Sequence, residues 1–212
     1  MSKDVISHYR AIEAEVKAGD NGIIDALPVV FNSYSVPMFD WFVDEEFREI
    51  IKPEALNEAD LSDVLLLVNH NEGMIPLART REGGGNGLGV LNLEVTERGL
   101  HVTTKLDIEN SPQAREIYTA VKNGVMRGMS FCFYLKEGDS QFYRDENDVL
   151  IHEISRIRAI TEVSIVTYPA YPSTEVSARQ KRSLENDKRE LENFFKRENE
   201  TRILREKIKL TR

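Results

Sequence analysis

From Pro28 to Tyr168 the chain is a succession of short runs rich in β-branched and aromatic residues, separated by turn formers. PVVFNSYSVPMFDWF predicts two short strands. DVLLLVNH is a continuous apolar run suited to a strand buried on both faces, ending in Asn69 and His70. IPLART, GMSFCFYL, HEISRIRAI and TEVSIVTY follow the same rule, and VLNLEV and LHVTTKLDI flank TERG as a β-hairpin. One segment among them, SPQAREIYTAVKNG, reads as a helix, with Ser111 as cap, Pro112 in the first turn and Gly124 past the end. Pro53 to Leu61 is a short helix or turn. Near the start, Ile6, Tyr9, Ile12 and Val16 fall at helical spacing before Gly19, which predicts an N-terminal helical segment over 1–20. Regular strand–helix alternation is missing, and this excludes a doubly wound parallel sheet. A mainly β domain over 21–179 is expected, a closed or nearly closed β-barrel with flanking helices.

The 212 residues suffice for one sizeable domain with a tail. Charge divides the chain in the same place. From Gln180 to Arg212 there are eleven Lys and Arg against seven Asp and Glu, whereas the preceding residues are strongly acidic and bring the net charge to −8. An acidic body argues against nucleic acid as the main partner, because phosphate binding rests on clustered cations. The basic segment, 180–212, reads as a charged helical or disordered tail with apolar positions at Leu184, Leu191, Phe195, Leu204 and Ile208. Cys132 is the single cysteine, so no internal disulfide can form and a reducing compartment is favoured. The N-terminus has no apolar core of a secretory signal, and no apolar run reaches the ~20 residues of a membrane span.

Few residues remain for chemistry. The loop REGGGNGLG lacks the GK[ST] of a phosphate cradle and reads as a flexible connection that could serve as a lid. The histidines His8, His70, His101 and His152 show no paired ligand spacing, so neither metal nor cofactor is implied. Nucleophilic catalysis needs a hydroxyl, a base within reach and a group that orients the base. Ser130, set between large apolar residues in RGMSFCF, is a candidate nucleophile, and Glu153 and Glu162 are acids on strands. Each also has an ordinary reading: a structural serine, a surface histidine at a strand end, a carboxylate turned to solvent. Composition and periodicity leave both readings open.

The order of motifs separates them. VVFNSYS, then VLLLVNHNEG with PLART, GLHVTTKLD, a helix, GVMRGMSFCF and ITEVSIVTYPAYPSTEVSAR resemble the prohead proteases of tailed bacteriophages, of the type found in HK97-like phages. The resemblance spans roughly residues 28 to 179. It implies a fold like that of herpesvirus assembly proteases, a β-barrel surrounded by helices. It also implies a serine endopeptidase that matures a procapsid from inside the shell in the host cytoplasm, by cleaving the scaffold region of the major capsid protein and itself. Position by position, it makes Ser130 of GMSF the nucleophile, His70 of the NH motif the general base and Glu162 of EVSIVT the third member. Phe131 and Phe133 would anchor the strand from its opposite face. Cys132 departs from the pattern, standing where similar proteins often carry glycine, and by strand alternation it shares the face of Ser130. The tail resembles a removable extension that holds the enzyme to scaffold helices through Leu184, Leu191 and Phe195. Self-association is compatible with this reading. A non-enzymatic scaffolding or capsid-assembly protein with the same fold is the rival.

Overall fold

The computed structural model describes residues 6–12, 16–35, 37–40, 45–81, 87–167 and 191–205, with the backbone alone at 6–12 and 39–40. In chain order the strands are β1 (Ile6–Ile12), β2 (Val16–Ala18), β3 (Ile23–Val30), β4 (Met38–Asp40), β5 (Glu45–Ile51), β6 (Leu65–Val68) and β7 (Ala78–Arg79). They continue with β8 (Leu91–Thr96), β9 (Gly99–Lys105), β10 (Gly128–Leu135), β11 (Ser140–Arg144), β12 (Leu150–Ile154) and β13 (Ala159–Val166). The helices are α1 (Pro112–Lys122) and α2, which covers 191–205. The chain is therefore mainly β with helices at its margins.

The strands form three sheets, ordered β1-β10-β13-β6-β7, β2-β3-β9-β8 and β11-β12-β5-β4. Most pairings are antiparallel, but β6 runs parallel to β13 and β5 parallel to β12. At the centre of the first sheet, β10 and β13 are apolar on one face. Met129, Phe131, Phe133, Val163 and Ile165 are each 0% exposed and join the main core. The rings of Phe131 and Phe133 stack with centroids 5.1 Å apart. Val29, Leu100 and, from α1, Tyr118 and Val121 belong to the same cluster. These apolar side chains make the first sheet a rigid platform, and what lies on its other face is held by it.

The expected closed barrel is not what the strands build. Among the described residues, the outer strands of the sheets do not pair with one another. Isolated bridges such as Arg79–Val90 and Asp60–Ala159 mark where neighbouring elements approach. With only two residues, β7 offers too few ladder bonds to carry the first sheet further round. Pro28 has a comparable local effect. Between Ala26 and Val29 the β3–β9 register shifts, because proline has no N–H to give the ladder.

The expected N-terminal helix is also corrected: Ile6–Ile12 is a strand, paired antiparallel with β10 from Ile6–Leu135 to Ile12–Met129. The unpaired backbone edge of β10 outweighs the weak helical spacing of a segment whose propensities are mixed. By contrast, α1 follows its local signals. The Ser111 side chain accepts from the Ala114 N–H at 3.2 Å, and Gly124 at φ 68 closes the turn beyond the helix.

The charged tail does more than extend from the body. Leu191 of α2 is 0% exposed and packs in a second apolar cluster with Phe47, Phe142 and Leu150 of the third sheet, with Phe194 and Phe195 partly buried beside it. The guanidinium of Arg144 donates to Glu198 of α2 at 2.8 Å and to Glu45 at 2.6 Å. Leu184 and most of the glycine loop (82–86) lie outside the described residues. Leu191→Ala is expected to lose about 2–3 kcal/mol of α2 docking, from transfer and cavity terms together. Limited proteolysis would read this as faster cleavage before α2, with the first two sheets still protected.

Candidate active site

Two of the three expected residues meet directly. His70 Nδ1 lies 2.6 Å from Glu162 Oε1. Glu162 is on β13 with its side chain 4% exposed, whereas the His70 side chain is 22% exposed and is the member that solvent reaches. A carboxylate so buried requires partners for its charge, and both its oxygens have one. Its Oε2 accepts a hydrogen bond from Ser164 Oγ at 2.5 Å. With Glu162 as acceptor, the ring proton sits on Nδ1 and Nε2 is the acceptor side of the imidazole.

The backbone places the histidine. After β6, Asn69 and His70 take φ values of 49 and 57, consecutive left-handed conformations that non-glycine residues avoid without compensation. The compensation is local hydrogen bonding. The Asn69 N–H donates to the Ile165 carbonyl and the Asn69 side-chain oxygen accepts from the Thr167 N–H, both at 3.0 Å. The His70 N–H donates to Ser164 Oγ at 3.2 Å. The chain is thus turned back over β13, and the imidazole is carried to the carboxylate rather than into solvent.

Strand register places the serine. Ser130 on β10 stands opposite Ser164, and Cys132 stands opposite Glu162. Directly paired residues project to the same face of a sheet, with Cβ atoms about 4.5–5.5 Å apart. Ser130, Cys132, Glu162 and Ser164 therefore share the face that lies opposite to Met129, Phe131 and Phe133. His70 is bonded to two of those four residues and covers the same face. Ser130 and Ser164 are each 0% exposed and Cys132 is 2% exposed. The register shifts just beyond Cys132, so that Phe133 pairs with Ile160 and Thr161 is the extra residue. Such a bulge changes the direction of the strand immediately next to Glu162.

The other candidates fall elsewhere. His101 on β9 pairs through Nε2 with Asp25 at 3.0 Å, in the second sheet. His152 on β12 is 0% exposed, bonds Glu49 through Nδ1 at 2.9 Å and stacks on Phe142 with centroids 4.3 Å apart. Glu153 accepts from Gln141 at 3.0 Å in the third sheet. The side chain of His8 lies outside the described residues. Among the described residues a histidine–carboxylate pair thus occurs three times, and only the His70 pair shares a sheet face with Ser130. Ser164 was not singled out from the sequence, and the one signal for it is its place two residues after Glu162 on the same strand face.

A histidine oriented by a buried carboxylate, on a rigid sheet face that also carries buried hydroxyls, is the equipment of serine-type hydrolysis. The comparisons agree. The family model described as Caudovirus prohead serine protease matches residues 9–190, and the chain belongs to that family. It is thus a serine protease of phage capsid maturation. No curated protein and no solved structure matches it.

Proposed function

We propose that the chain is an endopeptidase whose nucleophile is Ser130, with His70 as general base and Glu162 as the residue that orients it. The observation that carries this reading is the 2.6 Å His70–Glu162 bond on the sheet face that bears Ser130. In the first step His70 Nε2 takes the Ser130 proton as Oγ attacks the scissile carbonyl. The imidazolium then gives that proton to the leaving amine, and the acyl-enzyme forms. Water enters, His70 removes its proton, and attack on the ester releases the acid and restores the Ser130 hydroxyl. Glu162 remains ionised throughout and stabilises the imidazolium each time it appears. The substrates on this reading are the scaffold region of the major capsid protein and the enzyme itself, inside the procapsid in the host cytoplasm.

A silent scaffolding protein with this fold would have no reason to hold an imidazole in two consecutive left-handed residues over a buried carboxylate. Co-expression with the capsid protein separates the two readings. The enzyme shortens the capsid protein, and the silent protein leaves it at full length.

Self-cleavage is expected to remove the basic tail, leaving a mature chain that ends near Arg179. Loss of α2 also strips the Leu191 cover from Phe47, Phe142 and Leu150. Intact-mass measurement on protein from assembled particles checks this. A chain that still ends at Arg212 in particles whose capsid protein is fully processed contradicts it.

A further inference from the structure

We infer that Ser164 is a positioning residue of this protease, a fourth group that ties the acid to the backbone of the base. The inference rests on the assignment of Ser130, His70 and Glu162 just given, and it goes beyond it. Ser164 lies on β13 and is 0% exposed. Its Oγ donates to Glu162 Oε2 at 2.5 Å and accepts from the His70 N–H at 3.2 Å. One hydroxyl has one proton and two lone pairs, so both bonds can be made at once. The first fixes the rotation of the buried carboxylate and directs Oε1 to the imidazole. The second satisfies an N–H that the left-handed turn at His70 removes from any strand ladder.

The same two bonds distinguish Ser164 from a nucleophile. Its proton is committed to Glu162, and the bond it makes to His70 is with the backbone N–H. It cannot pass its proton to the base without breaking the bond that orients that base. Ser130 stands directly opposite Ser164 on β10. Ser164 thus pairs across the ladder with the nucleophile's position and is bonded to both members of the histidine–carboxylate pair, and it holds that pair in register with β10. An alanine there would leave Glu162 Oε2 buried with one donor fewer and would release the His70 backbone.

The test uses the full-length protein and a fluorogenic peptide spanning a capsid-protein junction identified by mass spectrometry. Ser164→Ala and Ser164→Cys are compared with wild type. Cysteine keeps the shape but donates weakly, so it separates packing from hydrogen bonding. Both variants should lose about 10- to 100-fold in kcat, with KM within roughly threefold of wild type. The wild-type Nδ1 proton of His70, held in a short bond, should give a downfield NMR resonance that shifts or broadens in both variants. Ser164→Cys melting at the wild-type temperature with low kcat supports the inference, even if Ser164→Ala does not fold. Wild-type kcat in Ser164→Cys, or a loss confined to stability or KM, overturns it. Failure of the underlying assignment looks different, because Ser130→Ala would then cleave the peptide at the wild-type rate.

Discussion

Ser130→Ala is expected to lower kcat for peptide-bond hydrolysis by on the order of 10⁶-fold, the scale seen when a nucleophile that works with its base is removed. The fold should survive. Ser130 is fully buried on β10, but it contributes one hydroxyl to a strand whose stability comes from Met129, Phe131 and Phe133 on the other face. Removing that oxygen leaves a small hole and costs little beside the burial of two phenylalanines. Thermal denaturation of the variant should therefore lie close to wild type while turnover disappears. Cys132→Ala is the matched control. The thiol shares the face of Ser130 and stands opposite Glu162, yet the hydroxyl is the group that this mechanism needs, and most activity should remain. The reverse result, with the cysteine change fatal and the serine change mild, would move the nucleophile by two residues.

His70→Ala should be as damaging as loss of Ser130, again on the order of 10⁶-fold in kcat, because the hydroxyl is a poor nucleophile without a base. The double variant should be no worse than either single one, the signature of groups that act as a unit. A His70→Ala rate within about tenfold of wild type would correspond to only ~1.4 kcal/mol, too little for a general base. His101→Ala and His152→Ala should leave kcat nearly unchanged, since their partners Asp25 and Glu49 hold them in other sheets. His152 is buried, and its loss should appear in stability instead. Glu162→Gln should fall on the order of 10⁴-fold, because an amide can donate to Nδ1 and so favour the wrong tautomer. Steady-state kinetics on one peptide substrate compares all five variants.

How far the sequence reached depended on whether the signal was local. The start and end of α1 were legible because Ser111, Pro112 and Gly124 act on the backbone within one turn. The buried character of β10 was legible because GMSFCFYL is apolar at nearly every position. The strand nature of Ile6–Ile12 was not, since it is settled by the edge of β10, more than a hundred residues away. Likewise β5, whose EEFREII mixes charged and apolar residues, is a strand because β4 and β12 flank it. Closure of a barrel depends on how sheets end relative to one another, and no residue pattern records that. At the site, residue type and position made His70 and Glu162 candidates beside other histidines and Glu153, and the resemblance alone chose between them. The left-handed turn that joins them, and the role of Ser164 within it, arise from hydrogen bonds between segments 94 residues apart.

In this mechanism Ser130 becomes acylated with the help of His70 and Glu162. Treating the purified protease with a fluorophosphonate, followed by peptide mass spectrometry, tests it most directly. One adduct is expected, on the peptide that contains Ser130, with loss of activity in proportion to labelling and no adduct in His70→Ala. An adduct on Ser164 or another serine accompanied by inactivation, or full activity with Ser130 quantitatively labelled, would contradict it.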